Sequence, residues 1–230
     1  MKKTYFGLGP AKLLLIAALS AAVIACGALS AQKFYEIMLS VFSIITIAYI
    51  SQGKVTGCVC GIIYSAAYAA VCFSRQIYGL AVFMILLVVP LYIISLFTWK
   101  KNQNKGAVEV KRLPAAKLVL VLIASFAGYW CIFFLLGAVG SSDVLFDSLT
   151  LVFGISGMTL LSLRYVEQWY FNIASNVSVS LLWLFKSLED ASNLNFMVVA
   201  VIFVASNVVG LVSWIKMEKM EKMEKKGENT

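Results

Sequence analysis

The chain has 230 residues, 61% of them hydrophobic and 13% charged, with a mean hydropathy of +0.90. Soluble domains carry about a quarter charged residues, so these values exclude an ordinary soluble fold and point to an integral membrane protein. The formal charge of +8, with no histidine in the chain, lies in loops and ends. Positive-inside asymmetry and anionic headgroups account for it without nucleic acid, and no Cys/His metal site or imidazole proton relay can be built.

Lys2, Lys3 and Lys12 precede an apolar run, Leu13 to Ala25, that closes on Val23-Ile24-Ala25-Cys26. The pattern mimics a secretory leader with a lipoprotein box, but the run continues through Ala31 and further spans follow, so a retained first helix is expected. Runs near the roughly 20 residues that a helix needs to cross hydrocarbon fall at 12–31, 34–50, 55–73, 78–98, 117–139, 143–163, 168–186 and 193–215. An all-α membrane protein of about eight helices is predicted. The five cysteines, Cys26, Cys58, Cys60, Cys72 and Cys131, sit inside these runs as small packing residues. Pro90 should kink the fourth span.

With both termini cytoplasmic, the inside loops hold Lys54, Arg164 and the cluster Lys100, Lys101, Lys105, Lys111 and Arg112, while the outside loops hold Lys33, Arg75 and Lys186 with the acidic Asp143, Asp147, Glu189 and Asp190. Orientation is therefore expected to be N-in, C-in. The tail, with Met217, Met220 and Met223 among Glu and Lys, should continue the last helix as a solvated charged face.

Thr98-Trp99-Lys100-Lys101 and Ser213-Trp214-Ile215-Lys216 close two segments alike, and superposing their tryptophans sets a lag of 115 residues. Spans two to four then fall on spans six to eight, with Tyr68 on Trp183, Gly61 on Asn176, Tyr92 on Asn207 and Ser95 on Gly210. Units separated by four spans run the same way, which predicts a parallel duplication about an axis along the membrane normal. The expected organisation is an extra N-terminal helix (1–33), a first three-helix repeat (34–101), a basic loop and linking helix (102–142), a second repeat (143–216) and a charged tail (217–230).

The seventh span carries Trp169, Asn172, Asn176, Ser180 and Trp183, spaced so that they share one face of a helix. Carboxamides and indole N–H groups in hydrocarbon need partners or a wet cavity, so this face should line a solute path. Tyr64 and Tyr68 on the third span, with Gly57 and Gly61 for clearance, would oppose it and stack a planar ring. Asn207 forms a second polar stripe with Gly210 and Trp214. Glu167, at the mouth of span seven, is a gating candidate or a cap or partner to Arg164, and Tyr92 is a second gating candidate. Glu36, beside Lys33, reads as interfacial. No carboxylate pair, metal cluster or nucleophile suggests an enzyme or a cofactor.

From Glu167-Gln168-Trp169-Tyr170-Phe171-Asn172-Ile173-Ala174-Ser175-Asn176 through Trp183, with Ile77-Tyr78-Gly79 and Thr98-Trp99-Lys100-Lys101-Asn102 upstream, the chain resembles the PnuC-type vitamin transporters over Phe34 to Lys216. The resemblance implies two three-helix repeats joined by a linking helix, akin to the SWEET arrangement and assembled as a homotrimer. It also implies facilitated uptake of nicotinamide riboside through a bacterial plasma membrane, drawn by a cytoplasmic kinase and without ion coupling. Trp169 and Asn176 match the family's substrate helix, and Asn207, Gly210 and Trp214 match its last helix. Where the family commonly shows an amide and a glycine in the first repeat, this chain has Tyr92 and Ser95. Thiamine, riboflavin or a deoxyribonucleoside therefore stays open as cargo. A non-transporting membrane subunit, with the basic loop as its docking surface, is the alternative.

Overall fold

In the computed structural model the described residues are 9–29, 32–74, 81, 83–104, 106–140, 143–189 and 194–227. Lys2, Lys3, Arg75 and the Ile77-Tyr78-Gly79 motif lie outside them. The helices are α1 (Pro10–Leu29), α2 (Phe34–Ile50), α3 (Val55–Ser74), α4 (Val89–Lys101), α5 (Ala115–Ala138), α6 (Val144–Ser162), α7 (Gln168–Glu189) and α8 (Leu194–Gly227). A two-stranded hairpin, β1 (Gln103–Asn104) and β2 (Ala107–Val108), follows α4. Among the described residues the architecture is thus all-α apart from that hairpin and a single bridge between Lys111 and Tyr165. Among the described residues, five stretches are long and apolar enough to cross a membrane: Val55–Ser74, Met84–Lys101, Ala115–Ala138, Val144–Ser162 and Phe196–Glu224. α7, diluted by its Asn and Ser residues, is not one of them.

Pro90 acts one turn earlier than a simple kink. Met84–Val88 forms a π-helical turn, and Pro90 occupies the first turn of α4 directly after it. A proline has no N–H to return to the preceding turn, and a π turn absorbs the register change.

Consecutive helices alternate in direction, so Ile50, Lys101, Ser162 and the C-terminal part of α8 gather at one end of the bundle. The segment 106–113 crosses this end as a strap. Val108 N–H donates to Gly53 O at 2.8 Å, Lys111 N–H to Arg164 O at 2.9 Å, and Val166 N–H to Lys111 O at 2.9 Å. Gly53 and Arg164 both have positive φ, 65° and 67°, and each offers its carbonyl to the strap. The basic loop, a docking surface in the alternative reading, packs through these bonds onto its own chain and leaves Lys111 and Arg112 exposed.

The core under the strap holds Trp99, Trp169 and Trp214 with Ile50, Cys58, Val108, Leu161 and Val166. Trp99 Nε1 donates to Leu161 O at 3.0 Å, and Trp214 Nε1 donates to Ile50 O at 2.9 Å. Each indole therefore ties the last helix of one three-helix segment to the first helix of the other.

Candidate functional site

A cavity of about 320 Å³ lies in the opposite half of the bundle, at the lower end of the roughly 300–1,000 Å³ usual for small-molecule sites. α3 contributes Tyr64, Tyr68, Val71 and Cys72, and α7 contributes Val179 and Trp183. α8 adds Phe196, Val199, Ala200 and Phe203, while Gln32, Glu36, Leu39 and Ser40 come from α2 and the residues before it. The tyrosine rings, one turn apart on α3, are stacked at 5.7 Å and 6°. Trp183 and Phe196 stack at 4.5 Å and 25°. Two aromatic pairs thus bound one chamber, an arrangement suited to a flat ring.

The seventh-span face divides along its length. Trp183 reaches the cavity, while Trp169, 1% exposed, packs in the core under the strap. Its ring lies 5.8 Å from that of Trp214, edge-on at 82°. Trp169 is not among the cavity-lining residues, nor are Asn172, Asn176 and Asn207. Asn172 packs on Gly157 of α6 and donates through Nδ2 to Gln168 Oε1 at 2.7 Å. Asn176 Nδ2 donates to Asn172 O at 2.8 Å, and Asn207 Nδ2 to Phe203 O at 2.8 Å. Amides satisfied within their own helix can sit in an apolar bundle without a solute. Among the described residues, five buried side-chain polar atoms lack a protein partner: Ser65 Oγ, Thr150 Oγ1, Arg164 Nε, Gln168 Nε2 and Trp169 Nε1.

Tyr92 sits against Gly61, where any larger side chain would meet its ring. Gly57 likewise packs on the backbone of Ile50. These glycines serve helix contact and do not clear space beside Tyr64 and Tyr68.

Glu167 is 5% exposed and precedes α7. Its partner is not Arg164 as the sequence allowed. Glu167 Oε2 accepts from Leu113 N–H at 3.0 Å, and Oε1 accepts from Arg112 Nη1 at 3.4 Å. Arg112 Nε also donates to Glu218 Oε2 at 2.7 Å, and that bond raises the pKa of the already basic guanidinium. Arg164 turns to the carbonyl of Glu109. Glu218, on the tail read as solvated, is 7% exposed, and Glu221 accepts from Val110 N–H at 3.2 Å. Sequence reading missed Arg112, Glu218 and Phe196 as site-forming residues and assigned Glu36 to the interface. Only the chain path across the bundle brings Arg112 to Glu218, and a phenylalanine in an apolar helix carries no distinguishing signal.

The family model described as nicotinamide mononucleotide transporter matches residues 33–216. The chain belongs to this family. A nicotinamide riboside transporter PnuC of Neisseria mucosa is 28% identical over 187 residues, covering 77% of this chain and 70% of the relative. One from Haemophilus influenzae is 24% identical over 156 residues, covering 66% and 69%. The fold matches a crystal structure of the vitamin B3 transporter PnuC with a TM-score of 0.79 at 22% identity, over 94% of this chain and 95% of that one. Membership makes this chain a multi-pass membrane transporter, not an enzyme.

Proposed function

We propose that the chain carries nicotinamide riboside, or a solute of the same flat-ring and pentose build, across the bacterial cytoplasmic membrane. The observation that carries this reading is the cavity bounded by the Tyr64–Tyr68 and Trp183–Phe196 pairs. The positive-inside rule puts the strap end in the cytoplasm with both termini. The cavity then lies in the outer half, with the Trp99–Trp169–Trp214 core and the strap closing the inner half. Transport proceeds by alternating exposure: opening of the strap end brings solute against the α7 face, where Trp169 Nε1 and Gln168 Nε2 await acceptors and Asn172, Asn176 and Asn207 offer amides. Glu167 and Tyr92 belong to the closing contacts.

The matched indole bonds, Trp99 to Leu161 and Trp214 to Ile50, and the paired turns at Gly53 and Arg164 support two repeats. They relate 99 to 214 by 115 positions, but 50 to 161 and 53 to 164 by 111, so the repeats differ by four residues between turn and closing tryptophan. At the shorter spacing Gly61 corresponds to Asn172 and Cys72 to Trp183. A homotrimer and dependence on a cytoplasmic kinase complete the reading, and both follow from the family resemblance.

Proteoliposomes containing this chain alone test it. They should take up labelled nicotinamide riboside without ATP or partner, and Trp183→Ala should weaken affinity on the order of tenfold, as expected for loss of one stacking platform worth roughly 1–3 kcal/mol. Absence of uptake, or an unaltered affinity in Trp183→Ala, removes the assignment.

A further inference from the structure

The charged end of α8 is built in register with the strap. The helix runs unbroken to Gly227, and from Met217 to Lys225 its sequence is Met-Glu-Lys three times over. Residues three apart on a helix are neighbours, so this repeat sorts methionine, glutamate and lysine into separate stripes. A tail standing free in water would leave its acids hydrated. Here Glu218 is buried and Glu221 half-buried, while Lys216, Lys219, Met220, Lys222 and Met223 are exposed. The acidic stripe lies on the strap: Arg112 Nε donates to Glu218 Oε2 at 2.7 Å, and Val110 N–H donates to Glu221 Oε1 at 3.2 Å. Met217, one residue before them, packs on Gly53, the turn whose carbonyl accepts from Val108 N–H of the strap.

These contacts join parts that separate when the inner end opens. The strap is bonded to Gly53 on one side and to Arg164 and Val166 on the other, whereas the tail moves with α8 because the helix is continuous. Drawing α8 away from the end of α2 breaks the Trp214 bond to Ile50, and the same motion pulls Glu218 and Glu221 off the strap. Bonds to a poorly hydrated carboxylate are among the stronger ones, so the tail resists that motion. We propose that residues 217–224 form an autoinhibitory latch, in which the acidic stripe of the tail holds the strap down and slows opening of the inner end. The proposal rests on the inner-end opening described above and adds to it the element that sets its rate. None of these residues lines the cavity, and the latch lies beyond the stretch matched to the family.

Two full-length variants test it. Glu218→Gln with Glu221→Gln removes the acidic charges and keeps the side-chain size; Lys216→Gln with Lys219→Gln removes as many charges from the exposed stripe of the same tail. Spin labels at positions 111 and 220, both exposed, report the distance from strap to tail without solute. The wild type and the lysine variant should show one short distance, and the glutamate variant should gain a longer population. In proteoliposomes the maximal rate of nicotinamide riboside exchange should rise roughly threefold or more in the glutamate variant, as expected for losing partly screened ion pairs. Its half-saturating concentration should stay at the wild-type value, and the lysine variant should match the wild type in both. A glutamate variant with the wild-type distance overturns the proposal. So does one whose maximal rate is unchanged or lower, the outcome of a purely structural contact, or equal acceleration in the lysine variant. If the wild type carries no riboside, the substrate reading fails instead, and the distances alone decide the latch.

Discussion

Gly210 shows how little slack the closed half contains. A methyl group on its Cα would fall within contact distance of three carbons of the Trp169 ring, and Trp214, one turn further along α8, packs edge-on against the same ring, which is 1% exposed. The indole has nowhere to retreat. Gly128 on α5 differs, since a methyl there would meet only Val152 Cγ2 at an ordinary 3.5 Å. Gly210→Ala should therefore cost about 1–3 kcal/mol through overpacking, while Gly128→Ala should be neutral or slightly stabilising because alanine is the better helix former. Unfolding of the two variants in the same detergent checks this; an equal midpoint for both would show that the Trp169 layer repacks freely. At this scale the sequence was informative about chemistry and poor about depth. Spacing put Trp169, Asn172, Asn176 and Trp183 on one face, but periodicity gives an angle around the helix axis. It does not say that the cavity occupies one half of the bundle, so Trp183 meets the void while Trp169 meets Trp214.

At the scale of elements the strap is the feature that hydropathy could not anticipate. The helices were legible because each needs about twenty apolar residues, and α2 and α3 fall at the expected positions within a residue. The strap's course rests on single backbone bonds and on one arginine between two carboxylates, joining residues 106 positions apart. Nothing local encodes that pairing. Arg112 bridges Glu167 and Glu218, whose side chains are only 7% and 9% exposed, and is itself 41% exposed. Removing the arginine leaves two poorly hydrated acids without their shared donor, which should destabilise by roughly 1–2 kcal/mol after allowance for its partial exposure. Lys222, also bonded to Glu218 but 69% exposed, should contribute less than about 0.5 kcal/mol. Thermal unfolding of Arg112→Ala and Lys222→Ala in detergent separates the two; equal losses would mean that the strap is held by its backbone bonds alone.

For the whole molecule, the proposed transport requires a path to open between the cavity and the strap end. Between them stand the three-tryptophan core, the two indole bonds to Leu161 and Ile50, and the strap with its grip on α8. Under the proposed cycle, separating α4 from the end of α6 breaks the Trp99 bond, and separating α8 from the end of α2 breaks the Trp214 bond. Packed interfaces of this kind switch between discrete arrangements and do not deform continuously. Lys101, at the exposed end of α4, and Leu163, exposed just beyond α6, flank the first of these bonds and sit on opposite three-helix segments. Spin labels at these two positions in proteoliposomes should give one short distance without solute and a second, longer population when nicotinamide riboside is added. Trp99→Phe, which keeps an aromatic ring of smaller size and deletes the donor to Leu161, should enlarge the longer population before any solute is present, since each 1.4 kcal/mol removed from the closed state shifts the balance about tenfold. A single unshifted distance in protein that transports at full rate would refute an opening at this seam and move the gate to another pair of helices.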